Sequence, residues 1–220
     1  SLTVNPIPLN ITADNKSKDY DGLVYSPFTV SYNGFVLGDT YLSLGGTLSF
    51  SGTATSATEV GTYVITPGGY TSDNYTITYT NGSLTINCSS LINVSNNNNS
   101  GYGSLRNAMA NLCSNGTITF NSINNQTITL TTGTLTIDKN ITFNNSNHTN
   151  GVTIGGSGTN VTINTGKVLT ISTGSKITVS GAIVNNAGTA GLVIESGASF
   201  IHNTVDLQAT IKRYLNNGWH

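Results

Sequence analysis

Charge is what this sequence of 220 residues has least of: eight Lys and Arg and nine Asp and Glu make 8% of the chain, against about 25% in an ordinary soluble domain. The formal net charge is −1, with an isoelectric point near 6.2. Without a basic stripe to neutralise phosphates, nucleic-acid binding lacks its main driving force. Runs of roughly 18 apolar residues are missing too, which excludes a membrane-spanning helix. The first ten residues lack the charged start and apolar middle of a signal peptide, so if the protein is exported its signal is expected upstream. Stretches rich in Lys, Glu and Ala are absent, and long helices go with them. Asn, Thr, Ser and Gly occupy the vacated positions, and 36% hydrophobic residues allow a true core. A surface that is polar without being ionic, on β structure almost throughout, is the expectation.

The two cysteines, Cys88 and Cys113, are too few for a disulfide framework. They read either as one disulfide, whose loop would stabilise by roughly 3 kcal/mol on the chain-entropy view, or as two unpaired thiols. The composition changes between them, at the Asn-rich tract 95–100. All four prolines, Pro6, Pro8, Pro27 and Pro67, precede that tract, and of the ten tyrosines only Tyr214 lies far beyond it. Two differently built units are expected.

In the first unit, apolar and polar residues alternate in Leu9–Ala13, Phe28–Tyr32, Thr62–Thr66 and Tyr75–Tyr79, each bounded by turn formers. Asn81-Gly82 then reads as a type I′ hairpin turn into Ser83–Ile86. The N-terminal segment Ser1, Leu2, Thr3, Val4, Asn5 repeats the segment Ser83, Leu84, Thr85, Ile86, Asn87 with one conservative exchange. Residues 1–8 therefore read as the end strand of a preceding repeat or a linker. Donated to the open edge of a neighbour, residues 1–5 would also allow fibre assembly by strand addition.

The ordered motifs of this unit are Ile11–Gly22 with its Asp19-Tyr-Asp-Gly, Val30–Thr40, Val60–Pro67, Asn74–Tyr79 and Gly82–Ile86. Together they resemble the MBG/YDG-type repeats of bacterial adhesins, over nearly all of residues 9–86. That resemblance implies a tandem stalk or adhesive module of a large secreted surface protein, of the kind found in Bacteroidota. Its partners would be neighbouring repeats, copies of itself, or host and matrix glycans, outside the cell.

In the second unit, Leu105, Ala108, Met109 and Leu112 fall at helical spacing behind Ser104 as N-cap, which predicts a short helix over 104–112. Short strands follow, and they recur. Phe120, Phe143, Ile171 and Ile194 each end one, 23 to 28 residues apart. Two further series run in phase: Ile128–Leu130, Val152–Ile154, Ile177–Val179 and Phe200; then Leu135–Ile137, Val161–Ile163, Ile183 and Val205–Leu207. Three strands per coil, apolar inside and Thr outside, predict a parallel β-helix. An open solenoid end displays unpaired main chain, and the helix is placed to plug one. The run Gly103-Ser-Leu-Arg-Asn-Ala-Met109 with its Asn-rich lead-in resembles the cap and first coil of right-handed β-helices with the CSLREA-type signature, although Gly103 stands where that signature carries Cys.

The expected fold is therefore all-β. A small antiparallel module, β-grasp- or immunoglobulin-like, covers 9–87, and an Asn-rich linker covers 88–103. A short three-faced right-handed parallel β-helix covers 104–208, and 209–220 form an end cap or the start of a further module.

Catalysis is tested by the acids, since glycoside hydrolysis needs two positioned carboxylates. The second unit offers only Asp138, Glu195 and Asp206, on positions not expected to converge. His148, His202 and His220 lack metal-ligand spacing, and Gly155–Gly158 reads as a corner because no helix follows it. Asp19 and Asp21, with Asp14 and Asn15 nearby, are a calcium candidate, set against a plain turn. Sequons at Asn74, Asn81, Asn140 and Asn160 are what an Asn/Thr-rich composition generates. The outward Thr rows, which suggest ice binding, are interrupted. No catalytic residue and no cofactor are expected, and the reading is a non-catalytic structural and adhesive segment, with a carbohydrate-binding or carbohydrate-active β-helix as the alternative.

Overall fold

A computed structural model of the protein describes residues 5–120, 126–147, 150–156 and 160–213. It divides into two units, residues 1–88 and 89–220, each with its own core.

Among its described residues the first unit has seven strands: β1 (Ile7–Ala13), β2 (Lys16–Asp19), β3 (Val30–Asn33), β4 (Gly45–Ser51), β5 (Gly61–Thr71), β6 (Tyr75–Thr80) and β7 (Gly82–Asn87). They form two sheets, ordered β3-β1-β6 and β2-β7-β5-β4. Antiparallel pairs β1–β3, β4–β5 and β5–β7 are joined by two parallel ones, β1–β6 and β2–β7. Alternation in β1 buries Leu9, Ile11 and Ala13 on one face. Two small cores result. Leu9, Ile11 and Tyr75 pack among Tyr32, Phe35, Tyr70 and Tyr79, and Ile65, Leu84 and Ile86 pack with Ala13, Ala54 and Ala57 among Phe28, Phe50 and Tyr63.

The hairpin expected at Asn81-Gly82 does not form. β6 pairs with β1 and β7 pairs with β5 and β2, so the chain steps there from one sheet to the other. Neither Asn81 nor Gly82 has the positive φ of a type I′ turn. Gly82 is needed for another reason: a Cβ there would stand 2.5 Å from the Ala13 carbonyl oxygen, so only glycine lets the two crossing strands approach.

Residues 89–103 are no linker. They begin with β8 (Ser89–Asn93), which adds to a six-stranded parallel sheet, and Val94 is fully buried in the second core. Next comes α1 (Leu105–Asn111), with Ser104 Oγ accepting from Asn107 N at 3.2 Å as the N-cap. The helix stops one residue before its expected end because Leu112 is extended and opens β9 (Leu112–Thr119).

The solenoid continues through β10 (Thr127–Thr129), β11 (Leu135–Ile137), β12 (Ile141–Asn144), β13 (Val152–Gly155), β14 (Asn160–Ile163), β15 (Leu169–Ile171), β16 (Lys176–Val179), β17 (Ala182–Asn185), β18 (Leu192–Ile194), β19 (Ser199–His202) and β20 (Thr210–Ile211). Three faces are ordered β20-β18-β15-β12-β9-β8, β10-β13-β16-β19 and β11-β14-β17. This is a parallel β-solenoid of about four turns.

Register departs from the sequence alignment by two residues in two places. Phe143 faces Ile118, not Phe120, and Ile128 faces Ile154, not Val152. Phe120 follows the end of β9 and stays fully buried, edge-on to Phe143 with ring centroids 5.4 Å apart. Val205 is 83% exposed and forms no strand; the last pairing is instead β20 on β18.

Inside run aliphatic ladders such as Ile118, Phe143, Ile171, Ile194 and Leu135, Val161, Ile183. Two other inward ladders end in polar residues. His202 takes the place after Ile128, Ile154 and Val179, and Asn185 the place after Ile137 and Ile163. Asn185 Nδ2 donates to the Gly188 and Gln208 carbonyls at 2.7 and 2.8 Å, which fastens the closing turn. At the other end α1 is pinned by Arg106, which donates to the carbonyls of Thr132, Gly133 and Thr134 at 2.6 to 2.9 Å. Lys139 Nζ donates to the Met109 and Leu112 carbonyls at 3.0 and 3.1 Å, a cation at the negative end of the helix.

Candidate functional site

Polar chemistry gathers in three places. The first is the loop around Asp14, Asp19 and Asp21. β2 carries Asp19 beside β7, where its carboxylate accepts from Asn87 Nδ2 at 3.3 Å. Asp21 accepts from the Lys18 ammonium and from Leu23 N at 2.8 Å. That ammonium also donates to the Leu23 carbonyl at 2.5 Å. Lysine thus supplies the cation of this loop. Its hydrogen bond, then that of Leu23 N–H, holds the Asp21 carboxyl below its ordinary value. Asp14 faces elsewhere, toward β3, accepting from Ser31 Oγ at 2.5 Å and from Thr29 Oγ1. These two hydroxyls lower its pKa, with help from Lys16. Asn15 Oδ1 is held by Ser83 N at 2.9 Å. The structure brings the calcium candidates Asp19 and Asp21 onto one edge but turns each toward its own protein donor.

The second place was not read from the sequence. A cleft of about 270 Å³ lies at the start of β1, lined by Asn5, Pro6, Ile7, Val36, Leu37, Asp39, Asp73, Asn74 and Tyr75. The Tyr75 hydroxyl donates to Asp39 Oδ2 at 2.6 Å and accepts from Val36 N at 3.3 Å. Asp39 Oδ1 in turn accepts from Ser43 Oγ at 3.1 Å. The carboxylate beside it, and then burial, raise the Tyr75 phenol above its ordinary value. Beside it Leu37 is fully exposed with φ of 55°, a left-handed conformation costly to a residue that carries a Cβ. The signal that could have marked the loop is Gly34 and Gly38 on either side of an apolar triplet.

The third is a groove of about 240 Å³ between α1 and β11, lined by Arg106, Met109, Ala110, Thr134, Leu135, Thr136 and Asp138. It joins one guanidinium, one carboxylate and two threonines. Of the other acids of this unit, Glu195 follows β18 and its Oε1 is paired with Lys212 Nζ at 2.7 Å. Asp206 stands in the turn between β19 and β20 with φ of 55°. The three acids thus follow strands of different faces. Among the described residues, no three Asp, Glu, His or Cys side chains form a metal-holding group. His202 Nδ1 accepts from Thr204 N at 3.2 Å. His148 and His220 lie outside the described residues, as do Ser157 and Gly158 of the glycine-rich corner.

Cys88 and Cys113 are joined in a disulfide. Of the proposed strand donor, Ser1, Leu2, Thr3 and Val4 lie outside the described residues, and Asn5 lines the cleft above.

Residues 9–85, most of the first unit, match the family model of the MBG domain (YGX type), in line with the resemblance that the motif order carries. No curated protein matches the chain, and no solved structure matches it either.

Proposed function

We propose, from the MBG domain at residues 9–85, that the chain is a non-catalytic structural and adhesive segment of a secreted bacterial protein, held outside the cell at its surface. The domain assignment carries this reading, and two features support it. Hydrophobic ladders and main-chain pairing make the second unit a stiff spacer. Almost every described ionisable group lies on a surface poor in charge, which suits packing among neighbouring repeats, copies of the same chain, or neutral glycans. Assembly into fibres by donation of residues 1–5 is the finer form of the same reading.

A second reading, a carbohydrate-binding or carbohydrate-active β-helix, rests on the groove that holds Arg106 and Asp138. Display on a heterologous bacterium separates the two. The surface reading expects displayed cells to be retained under flow on host or matrix glycans, with no sugar ends released. Release that Asp138→Asn or Glu195→Gln abolishes would replace it with the enzyme. For fibres, light scattering should show growth that deletion of residues 1–7 stops; a chain that is monomeric with or without them excludes strand donation.

A further inference from the structure

The first unit has an ordering of strands that matters when its ends are pulled. β1 and β2 are separated only by Asp14 and Asn15, and β6 and β7 only by Asn81. β1 pairs in parallel with β6 from Ile7↔Tyr75 to Thr12↔Thr80, and β2 with β7 from Lys16↔Leu84 to Asp19↔Asn87. Backbone bonds from Ile7 N to Asn74 O and from Tyr20 N to Asn87 O, both 2.9 Å, lengthen the ladder at its two ends. Where the strands change sheet, Asn15 Oδ1 accepts from Ser83 N at 2.9 Å and Oγ at 3.1 Å, closing the gap.

The chain enters this ladder at the start of β1 and leaves it at the end of β7. Because the paired stretches are parallel, entrance and exit lie at opposite ends of the ladder. Tension between them must slide one stretch along the other, loading the main-chain bonds together. A pull that separated the two stretches from one end would load them one after another.

At the exit the disulfide takes over. Cys88 follows β7 directly, and its bond to Cys113 in β9 gives tension a covalent path that omits residues 89–112. Those residues carry β8, the cap Ser104 and α1, which cover the end of the apolar ladders. β8 is an edge strand and would otherwise be the first element of the solenoid drawn by the chain.

We propose that the chain is built to carry tension. The parallel ladder of the first unit is a shear clamp, and the Cys88–Cys113 bond is a bypass that keeps the solenoid cap out of the load. This inference rests on the surface-segment reading for its setting, and its mechanics are tested independently.

The experiment is single-molecule stretching of the whole chain through non-thiol handles at its two ends. The reduced chain should give an extra low-force step of roughly 80 Å, the extended length of residues 89–112, before the first unit ruptures; the oxidised chain should lack it. The step in both forms, or in neither, overturns the bypass. Handles moved to Asn5 and Asp73, at one end of the ladder, should lower the rupture force at least twofold. Equal force in the two directions overturns the clamp. Asn15→Ala should weaken end-to-end pulling more than peeling, and an equal drop in both would also count against it. Loss of glycan retention in the display assay, with these forces intact, would sink the surface reading alone.

Discussion

The two units solve the same problem with different materials. The first buries two small clusters, in which aromatic rings surround a few aliphatic residues and alanines. Its tyrosine hydroxyls are tied to polar neighbours: Tyr75 to Asp39, Tyr32 to Tyr70, Tyr63 to the Glu59 carbonyl. The second has one continuous core of Ile, Leu, Val and Phe that contacts itself coil by coil. Long-range polar ties make the first unit cooperative and sensitive to pH. Repetition makes the second a sum of neighbours, sensitive to a single gap in a ladder.

The sharpest way to break this contrast is to open such a gap. Phe143→Ala should cost about 3–5 kcal/mol, because Phe143 is buried between Ile118 and Ile171 and edge-on to Phe120. Calorimetry should show the solenoid transition fall while that of the first unit stays. A shared fall would mean that the units melt as one.

Loss of the disulfide by Cys88→Ser with Cys113→Ser is expected to cost roughly 3 kcal/mol, with hydrogen exchange rising first in β8 and α1. Protection lost evenly over the solenoid would contradict a local role.

Acid and base should find the first unit. Asp14 and Asp21 are held below their ordinary pKa, so their contribution is complete above the usual carboxylate range near 4 and is lost as pH falls through the lowered values. Asp14 is half-buried and Asp21 exposed, and solvent screening limits their sum to about 1 kcal/mol. Tyr32, raised by burial and then by the Tyr70 hydroxyl, and Tyr75 behave oppositely. Their contribution persists up to about pH 10 and is lost as pH rises through the raised values. Melting of the first unit between pH 6 and 2 should flatten in Asp14→Asn with Asp21→Asn. The smallest effect is expected from Thr170→Val on the outer face, within about 0.5 kcal/mol; a larger loss would reveal a role for the hydroxyl row.

Much of this contrast was legible in the residues. The motif order of 9–86, the three inward series short of Val205 and Ser104 as a cap all come from local patterns that the structure keeps. The misreadings share a cause as well. A slip of one residue along a strand turns its apolar face outward, but a slip of two leaves that face inside, so the partners of Phe143 and Ile128 could not be chosen from alternation. Asn81-Gly82 carries a strong local turn signal, which lost to a contact with Ala13 that lies far away in sequence. β4 was unread because Gly45, Gly46 and Ser interrupt its pattern, and β8 because the Asn-rich run beside it hid a short strand. The cleft around Tyr75 joins residues from three separate stretches, and nothing in their spacing brings them together.

The outer rows have one more consequence. On the three faces the row facing solvent reads Thr142, Thr170, Val193; Thr153, Thr178, Ile201; and Thr136, Thr162, Val184. These nine are all β-branched, although Leu91 starts the first row ahead of Thr117 and Thr142, so through these coils the strand backbone meets nearly the same shape. What changes is whether the outermost group is a hydroxyl or a methyl. The exterior can therefore be rewritten, coil by coil, between wettable and water-shedding without disturbing the frame beneath, and a lineage of such proteins can try new surfaces while keeping its scaffold.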